Sequence, residues 1–157
     1  MSKTILSHLS KTGLDSSGNL FLQKSLYNPN MLEKIAFRIG DLIYDVEYNI
    51  IVAAEPEAVA LASLLSVLER VPWVQYNKND TQDYKSIIDS EVVNALVISL
   101  VCKDNANKEI EIAKTIKVAG VVYLVNTEQD IKNYFMPGTR IFYLTTLSSL
   151  QLFLKPR

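Results

Sequence analysis

The sequence predicts an α/β protein with a three-layer plan: a central, mainly parallel sheet of about five strands flanked by helices. Three observations carry this. The runs 49–54 (NIIVAA), 95–101 (ALVISLV) and 121–125 (VVYLV) are apolar throughout, so both faces of these strands are buried. Segments with helical apolar spacing separate them. The distance between runs leaves room for the crossovers that parallel neighbours require.

The elements follow in order. Residues 2–11 carry Ile5, Leu6 and Leu9 at helical spacing, with Gly13 as the stop. LDSSGN is a turn, and LFLQ reads as a short strand or extended piece. Asn28-Pro29 opens the best-marked helix: Asn accepts from free N–H groups at the N-cap, and proline at N1 has no N–H to leave unpaired. Met31, Leu32, Ile35, Ala36, Ile39, Leu42 and Ile43 form its apolar stripe. Strand 49–54 is followed by the helical EAVALASLLSVLER, then by a second strand at 72–76. The polar connection 77–94 has room for a short strand near 86–88. Strand 95–101 leads into the helical KEIEIAKTIKVA, ended by Gly120. A fourth strand at 121–125, a short helix in TEQDIKNYF, a fifth strand at 140–144 and a helical end in TLSSLQLFL complete the chain. The length, 157 residues, suits one domain over 1–157.

Composition narrows function. Sixteen basic side chains against seventeen acidic ones give a net charge of −1, which argues against a nucleic-acid binder working through a basic field. The single cysteine, Cys102, excludes an internal disulfide and a cysteine-rich zinc site. The single histidine, His8, excludes a histidine metal cluster. No apolar run approaches the ~20 residues of a membrane span, and the N-terminus lacks the core of a signal peptide. A cytoplasmic protein, without membrane or nucleic-acid partner, is the expectation.

Several stretches in order resemble the orotate phosphoribosyltransferases, from about residue 9 to residue 150. LYNPNMLEKIAFRIGDLI resembles the family's L-x-N-P-x-L-L helix. IIVAAEPEAVALASLLSVLERVPWVQYNK follows its strand, loop and helix into a P-F-V-x-x-R-K strand. EIAKTIKVAGVVYLV resembles the helix after the diphosphate-sugar loop, and TTLSSL is similar to the closing T-L-S-D-L. The resemblance implies the type I phosphoribosyltransferase fold, a homodimer, and a site for phosphoribosyl diphosphate with Mg²⁺ beyond the carboxyl ends of the strands. The segment 1–27 then corresponds to an N-terminal helix and a reduced hairpin, and 77–94 to a shortened catalytic hood. Leu20, Phe21, Leu22, Leu26 and Tyr27 supply an apolar stretch suited to the dimer contact.

The same correspondence exposes what is missing. The family's acidic pair for the ribose hydroxyls falls on Leu100 and Val101, which accept no hydrogen bond. Its T-T-G cradle for the 5′-phosphate falls on Asp104, Asn105 and Ala106, and its diphosphate loop on Glu55-Pro56-Glu57-Ala58. Phosphate cradles need backbone N–H groups brought close, usually through glycine. All five glycines (Gly13, Gly18, Gly40, Gly120, Gly138) lie outside both turns. Carboxylates there repel a polyanionic substrate.

Each candidate residue has two readings. Asp104, Asn105 and Asn107 could contact a ligand; more commonly such residues cap a helix, worth about 1 kcal/mol. Glu55 and Glu57 could hold a metal ion, or simply occupy a solvated first turn favoured by the helix dipole. Lys78 and Lys85 match the hood lysines, or are loop lysines serving solubility. Cys102 reads as a buried structural thiol, His8 as a surface or interface residue, and Trp73 as packing. The combined expectation is a phosphoribosyltransferase-like protein without catalysis and without a cofactor, serving binding, regulation or assembly. Its rivals are an active orotate phosphoribosyltransferase with an atypical site, which would use Mg²⁺, and a small-ligand sensor.

Overall fold

A computed structural model describes residues 3–15, 20–78, 84–102, 106–127 and 131–154. Strands β1 (Ile50–Ala53), β2 (Trp73–Gln75), β3 (Asn94–Cys102), β4 (Lys117–Asn126) and β5 (Arg140–Thr146) form one sheet in the order β2-β1-β3-β4-β5. Every neighbouring pair is parallel. The chain runs outward from β1 to β2, then returns across β1 to β3. The direction of winding therefore reverses between β1 and β3, and a crevice opens beyond their carboxyl ends.

Successive residues of the central strands point to opposite layers. Ile51, Ala53, Leu96, Ile98, Leu100, Val122 and Leu124 pack with α1 (Lys3–Thr12), α2 (Pro29–Leu42), α3 (Val59–Glu69) and α6 (Leu147–Leu154). Ile50, Val52, Ala95, Val97, Val121 and Tyr123 pack on the other side, with Ile112 of α5 (Asn107–Ala113) and Ile131. The apolar runs of the sequence are thus explained by two separate cores sharing one sheet. Fully burying a Leu, Ile or Val contributes roughly 1.5–3 kcal/mol, so the sheet is where stability concentrates.

The helix starting at Pro29 forms as its sequence demands. Asn28 Oδ1 accepts from the N–H groups of Asn30 at 3.0 Å and Met31 at 3.2 Å. Met31, Ile35, Ala36 and Ile39 are its buried stripe. Gly13 ends α1, donating its N–H to Leu9 O at 2.8 Å. His8 ties α1 to the next segment, its Nε2 lying 2.8 Å from Ser25 O. His8 is half-buried, so it serves as a structural link between the two segments.

Several expectations need correction. LFLQ is no strand: Leu22–Leu26 is a 3₁₀ helix with Leu22 and Leu26 buried, and Leu14 and Leu20 form only an isolated bridge. The expected strand near 86–88 is instead a short helix, α4 (Tyr84–Ile88). In the helix after β3, periodicity misleads: α5 stops at Ala113 and β4 begins at Lys117, four residues before the expected 121. Thr115 and Ile116 still turn back on Ile112 O, and the β-branched Val118, Val121 and Val122 favour extended chain beyond them. Gly120 is accordingly a strand residue, placed where the β3 register shifts between Ala95 and Leu96. A Cβ on it would meet Leu96 Cδ1 at 3.3 Å, so glycine permits a close approach. The second and fifth strands also differ at their ends, β2 being shorter and β5 longer than expected.

Gly13 gives a direct test of the α1 packing. A Cβ at this position would lie 2.5 Å from Leu9 O and 2.7 Å from Leu22 Cδ2. Gly13→Ala should lose about 1–3 kcal/mol in urea denaturation, the usual cost of forcing atoms into a packed site. A neutral substitution would contradict the described packing of α1 against the 3₁₀ segment.

Candidate functional site

The crevice at the carboxyl ends of β1 and β3 is built around one carboxylate. β1 ends at Ala53, and Ala54 N–H makes the last bond of its ladder, to Ile98 O at 2.9 Å. β3 continues four residues further, to Cys102. Glu55, held extended at φ −146° and ψ 157° before Pro56, turns its side chain into this gap. Its Oε1 accepts from Leu100 N–H at 3.0 Å and lies 3.3 Å from Ser99 Oγ. The carboxylate completes the ladder where the β1 backbone has turned away.

Ser99 joins Glu55 to a second, deeper carboxyl group. Ser99 Oγ lies 2.7 Å from Glu109 Oε1, and both residues are buried. A serine hydroxyl has one proton and two carboxyl neighbours here. Burial raises the Glu109 pKa above the ordinary carboxyl value; the nearby Glu55 charge adds to this, while the Ser99 hydrogen bond opposes it. With Glu109 protonated, its O–H serves Ser99 and the Ser99 proton serves Glu55, so the chain of three is satisfied. Behind them the Tyr123 hydroxyl is buried beside Glu109 and Cys102, and burial with the Glu109 charge raises its pKa.

Outside this buried chain lies a cavity of about 770 Å³, lined by Glu55, Val101, Asn107, Lys108, Glu109 and Glu111, with Ile110 and Lys114. Lys108 Nζ stands 3.8 Å from Glu55 Oε2, and Lys78 Nζ pairs with Glu111 Oε1 at 3.2 Å. The site therefore holds three carboxyl groups: Glu55 and Glu111 are answered by lysines, and Glu55 and Glu109 are joined through Ser99.

The predicted residues divide clearly. Glu55, Asn107 and, through Glu111, Lys78 come together at this crevice. Glu57 is exposed and does not line the cavity, and Lys85, also outside its lining, pairs with Glu91 at 3.3 Å. Asp104 and Asn105 lie outside the described residues. Glu55 does not occupy a solvated first turn; its side chain is only 12% exposed because it replaces a backbone rung. Asn107 is not a cap either: Ala106 holds the N-cap position, with no side-chain cap bond. Ala106 is buried with φ 57°, the left-handed conformation usually left to glycine. Leu100 belongs to the core, whereas Val101 lines the cavity. Cys102 is buried, as expected of a structural thiol, and Trp73 packs against the main core.

Sequence reasoning missed Ser99 and Glu109. Ser99 sits within an apolar strand, and Glu109 within a helix whose Glu111 is half-exposed, so neither stands out by composition. A polar residue inside a fully buried strand was the available signal, since it must find a partner.

Among the described residues no group of three or more His, Cys, Asp or Glu could hold a metal ion, and no helix is long and apolar enough to cross a membrane. No family model and no curated protein matches the sequence. Solved structures do match. The orotate phosphoribosyltransferase of Aeropyrum pernix superposes with a TM-score of 0.70 at 16% identity, covering 96% of this chain and 98% of that one. A phosphoribosyltransferase of Corynebacterium diphtheriae gives 0.72 at 13% identity, covering 94% and 96%. The adenine phosphoribosyltransferase of Trypanosoma brucei gives 0.70 at 12%, covering 95% and 83%. The fold is thus the type I phosphoribosyltransferase fold.

Glu109 makes the site pH-sensitive in a defined direction. The folded state holds its proton more tightly than the unfolded chain does. Its contribution to stability is therefore greatest at or below the ordinary carboxyl range and falls as pH rises through the raised value. Glu109→Gln, which keeps a neutral side chain, should flatten this dependence and exceed the natural protein in stability at pH 8. Denaturation at pH 5 and pH 8 measures it; equal slopes for the two proteins would exclude the protonated Glu109.

Proposed function

We propose that this chain is a phosphoribosyltransferase-like protein without transferase activity, retained for binding, regulation or assembly. One observation carries the reading: Glu55 is folded into the crevice as the acceptor for Leu100 N–H and beside Ser99. The positions resembling the ribose-binding acidic pair hold Leu100 and Val101, so a ribose diol finds no carboxylate there. A diphosphate entering the same crevice meets Glu55, Glu109 and Glu111, and displacing Glu55 exposes a backbone donor together with a carboxylate. Breaking a charge-assisted hydrogen bond of this kind costs on the order of 1.5–3 kcal/mol.

Magnesium does not fit these residues. It demands near-octahedral oxygen ligands at about 2.0–2.1 Å. One Glu55 oxygen is engaged with Leu100 and Ser99, the other faces Lys108, and Glu109 is buried against Ser99. The fold is shared by the orotate and adenine enzymes alike, so the rival reading of an active orotate phosphoribosyltransferase, with pyrimidine synthesis as its pathway, draws on sequence resemblance alone.

Homodimer formation and cytoplasmic residence belong to the same proposal. Phe21 and Tyr27 are 52% and 68% exposed, whereas Leu22 and Leu26 are consumed by the chain's own core. The apolar contact surface is thereby narrower than the sequence suggests, but two aromatic anchors remain, a residue type enriched at interfaces. The one cysteine is buried and needs no oxidising compartment.

Two measurements test the proposal. Phosphoribosyl diphosphate with Mg²⁺, alone or with orotate or adenine, should shift the melting temperature by less than about 1 °C. A true ligand at 100 times its Kd would add roughly 2.7 kcal/mol and several degrees. A shift of that size, or conversion of either base to its nucleotide, would overturn the inactive reading. Sedimentation at micromolar concentration should show a dimer that Phe21→Asp with Tyr27→Asp converts to monomer; a monomeric natural protein would refute the assembly.

A further inference from the structure

A second cavity opens at the opposite, amino end of the sheet, where β3, β4 and β5 begin at Asn94, Lys117 and Arg140. Its volume is about 670 Å³, inside the range of roughly 300–1,000 Å³ typical of small-molecule pockets. Ile110, Ala113, Val118, Tyr134 and Phe135 give it an apolar lining. Met136 also lines it and is 78% exposed, leaving an adaptable apolar side chain uncovered. A turn holds Met136 in place, with Thr139 N–H donating to Met136 O at 3.2 Å and Gly138 at φ 97°.

The charges around this cavity are unequal. Arg140 and Asp45 neutralise one another at 2.8 Å. The remaining charged lining residues are Glu47, Lys114 and Lys117, and both lysines are exposed and without an ion-pair partner among the described residues. An apolar pocket with surplus positive charge suits a ligand with a flat apolar body and one negative group.

We propose that the amino-end cavity binds a small aromatic carboxylate, its ring against Val118, Tyr134 and Phe135 and its carboxylate towards Lys114 and Lys117. This site adjoins the carboxyl-end crevice along α5, sharing Ile110 and Lys114 with it, but its apolar floor of Val118, Tyr134 and Phe135 belongs to the amino end alone, and it does not depend on whether that crevice is active. The ring takes up the apolar surface that Met136 leaves uncovered. The carboxylate balances the lysines without disturbing the Arg140–Asp45 pair.

Amide-resolved NMR of the full chain titrated with 2-naphthoate, 2-naphthylmethanol and 2-naphthylmethylamine tests this. 2-Naphthoate should shift the amides of Ala113, Val118 and Phe135 saturably, with a Kd on the order of 1 mM or tighter for a ligand of that size. The alcohol and the amine should bind more weakly, by about fivefold for the loss of one surface ion pair. Lys114→Glu with Lys117→Glu should weaken 2-naphthoate by at least that factor, and Ala113→Trp should abolish its binding by filling the cavity. No saturable shift, an amine that binds as tightly as the carboxylate, or affinity untouched by the double charge reversal would overturn the proposal. Movement of the same amides with protein concentration alone would also overturn it, by assigning the cavity to a second copy of the chain.

Discussion

A parallel sheet must satisfy each backbone N–H at the point where one strand outlasts its neighbour, and here that constraint falls on Leu100. β1 leaves the sheet after Ala53, while β3 runs on to Cys102. Water, a ligand or a side chain must then serve as acceptor. Glu55 serves, at 3.0 Å, and the consequences spread from this bond. The extended backbone before Pro56 sets where α3 begins, and the carboxylate occupies the crevice that the strand order creates.

Placing one carboxylate there dictates the chemistry behind it. Ser99 must divide its attention between Glu55 and Glu109, and a buried pair of ionised carboxyl groups would repel strongly. Burial raises the Glu109 pKa, and a proton on Glu109 would remove that repulsion and supply a donor to Ser99. Lys108 and Lys78 compensate the outer charges near the surface, where such pairs are individually weak. The result is a crevice whose polar groups are largely occupied with one another. Ala106, at the start of α5, holds the left-handed conformation with a methyl group on it, so the backbone after β3 turns without a glycine.

Much of the fold was legible because burial on both faces writes itself into composition. Ile50–Ala53 and Asn94–Cys102 are nearly unbroken apolar runs, and Asn28-Pro29 states its helix start in two residues. The segment before Val121 was not legible, since Ile110, Ala113, Ile116 and Val118 fit a helical period and an extended chain about equally well. Packing against β3 and β5 decided the matter, and packing is not local. The site was half legible. Glu55 stood out as a charge in a turn that resembles a phosphate loop, but its role required knowing that β3 outlasts β1. Glu109 was hidden because helix periodicity alone does not reveal which glutamate points inward.

The same fold in the Aeropyrum pernix and Trypanosoma brucei proteins gives this chain its crevice, and the residues in it give the chain its character. The central claim is that Glu55 acts as a resident acceptor at the end of β3. Amide hydrogen exchange at Leu100 tests it most directly, measured with and without phosphoribosyl diphosphate and Mg²⁺. The account predicts that Leu100 N–H is protected to nearly the degree of the core amide of Leu96, is unchanged by the added compound, and loses protection selectively in Glu55→Ala. Rapid exchange of Leu100 in the natural protein, or protection that phosphoribosyl diphosphate alters, would contradict it.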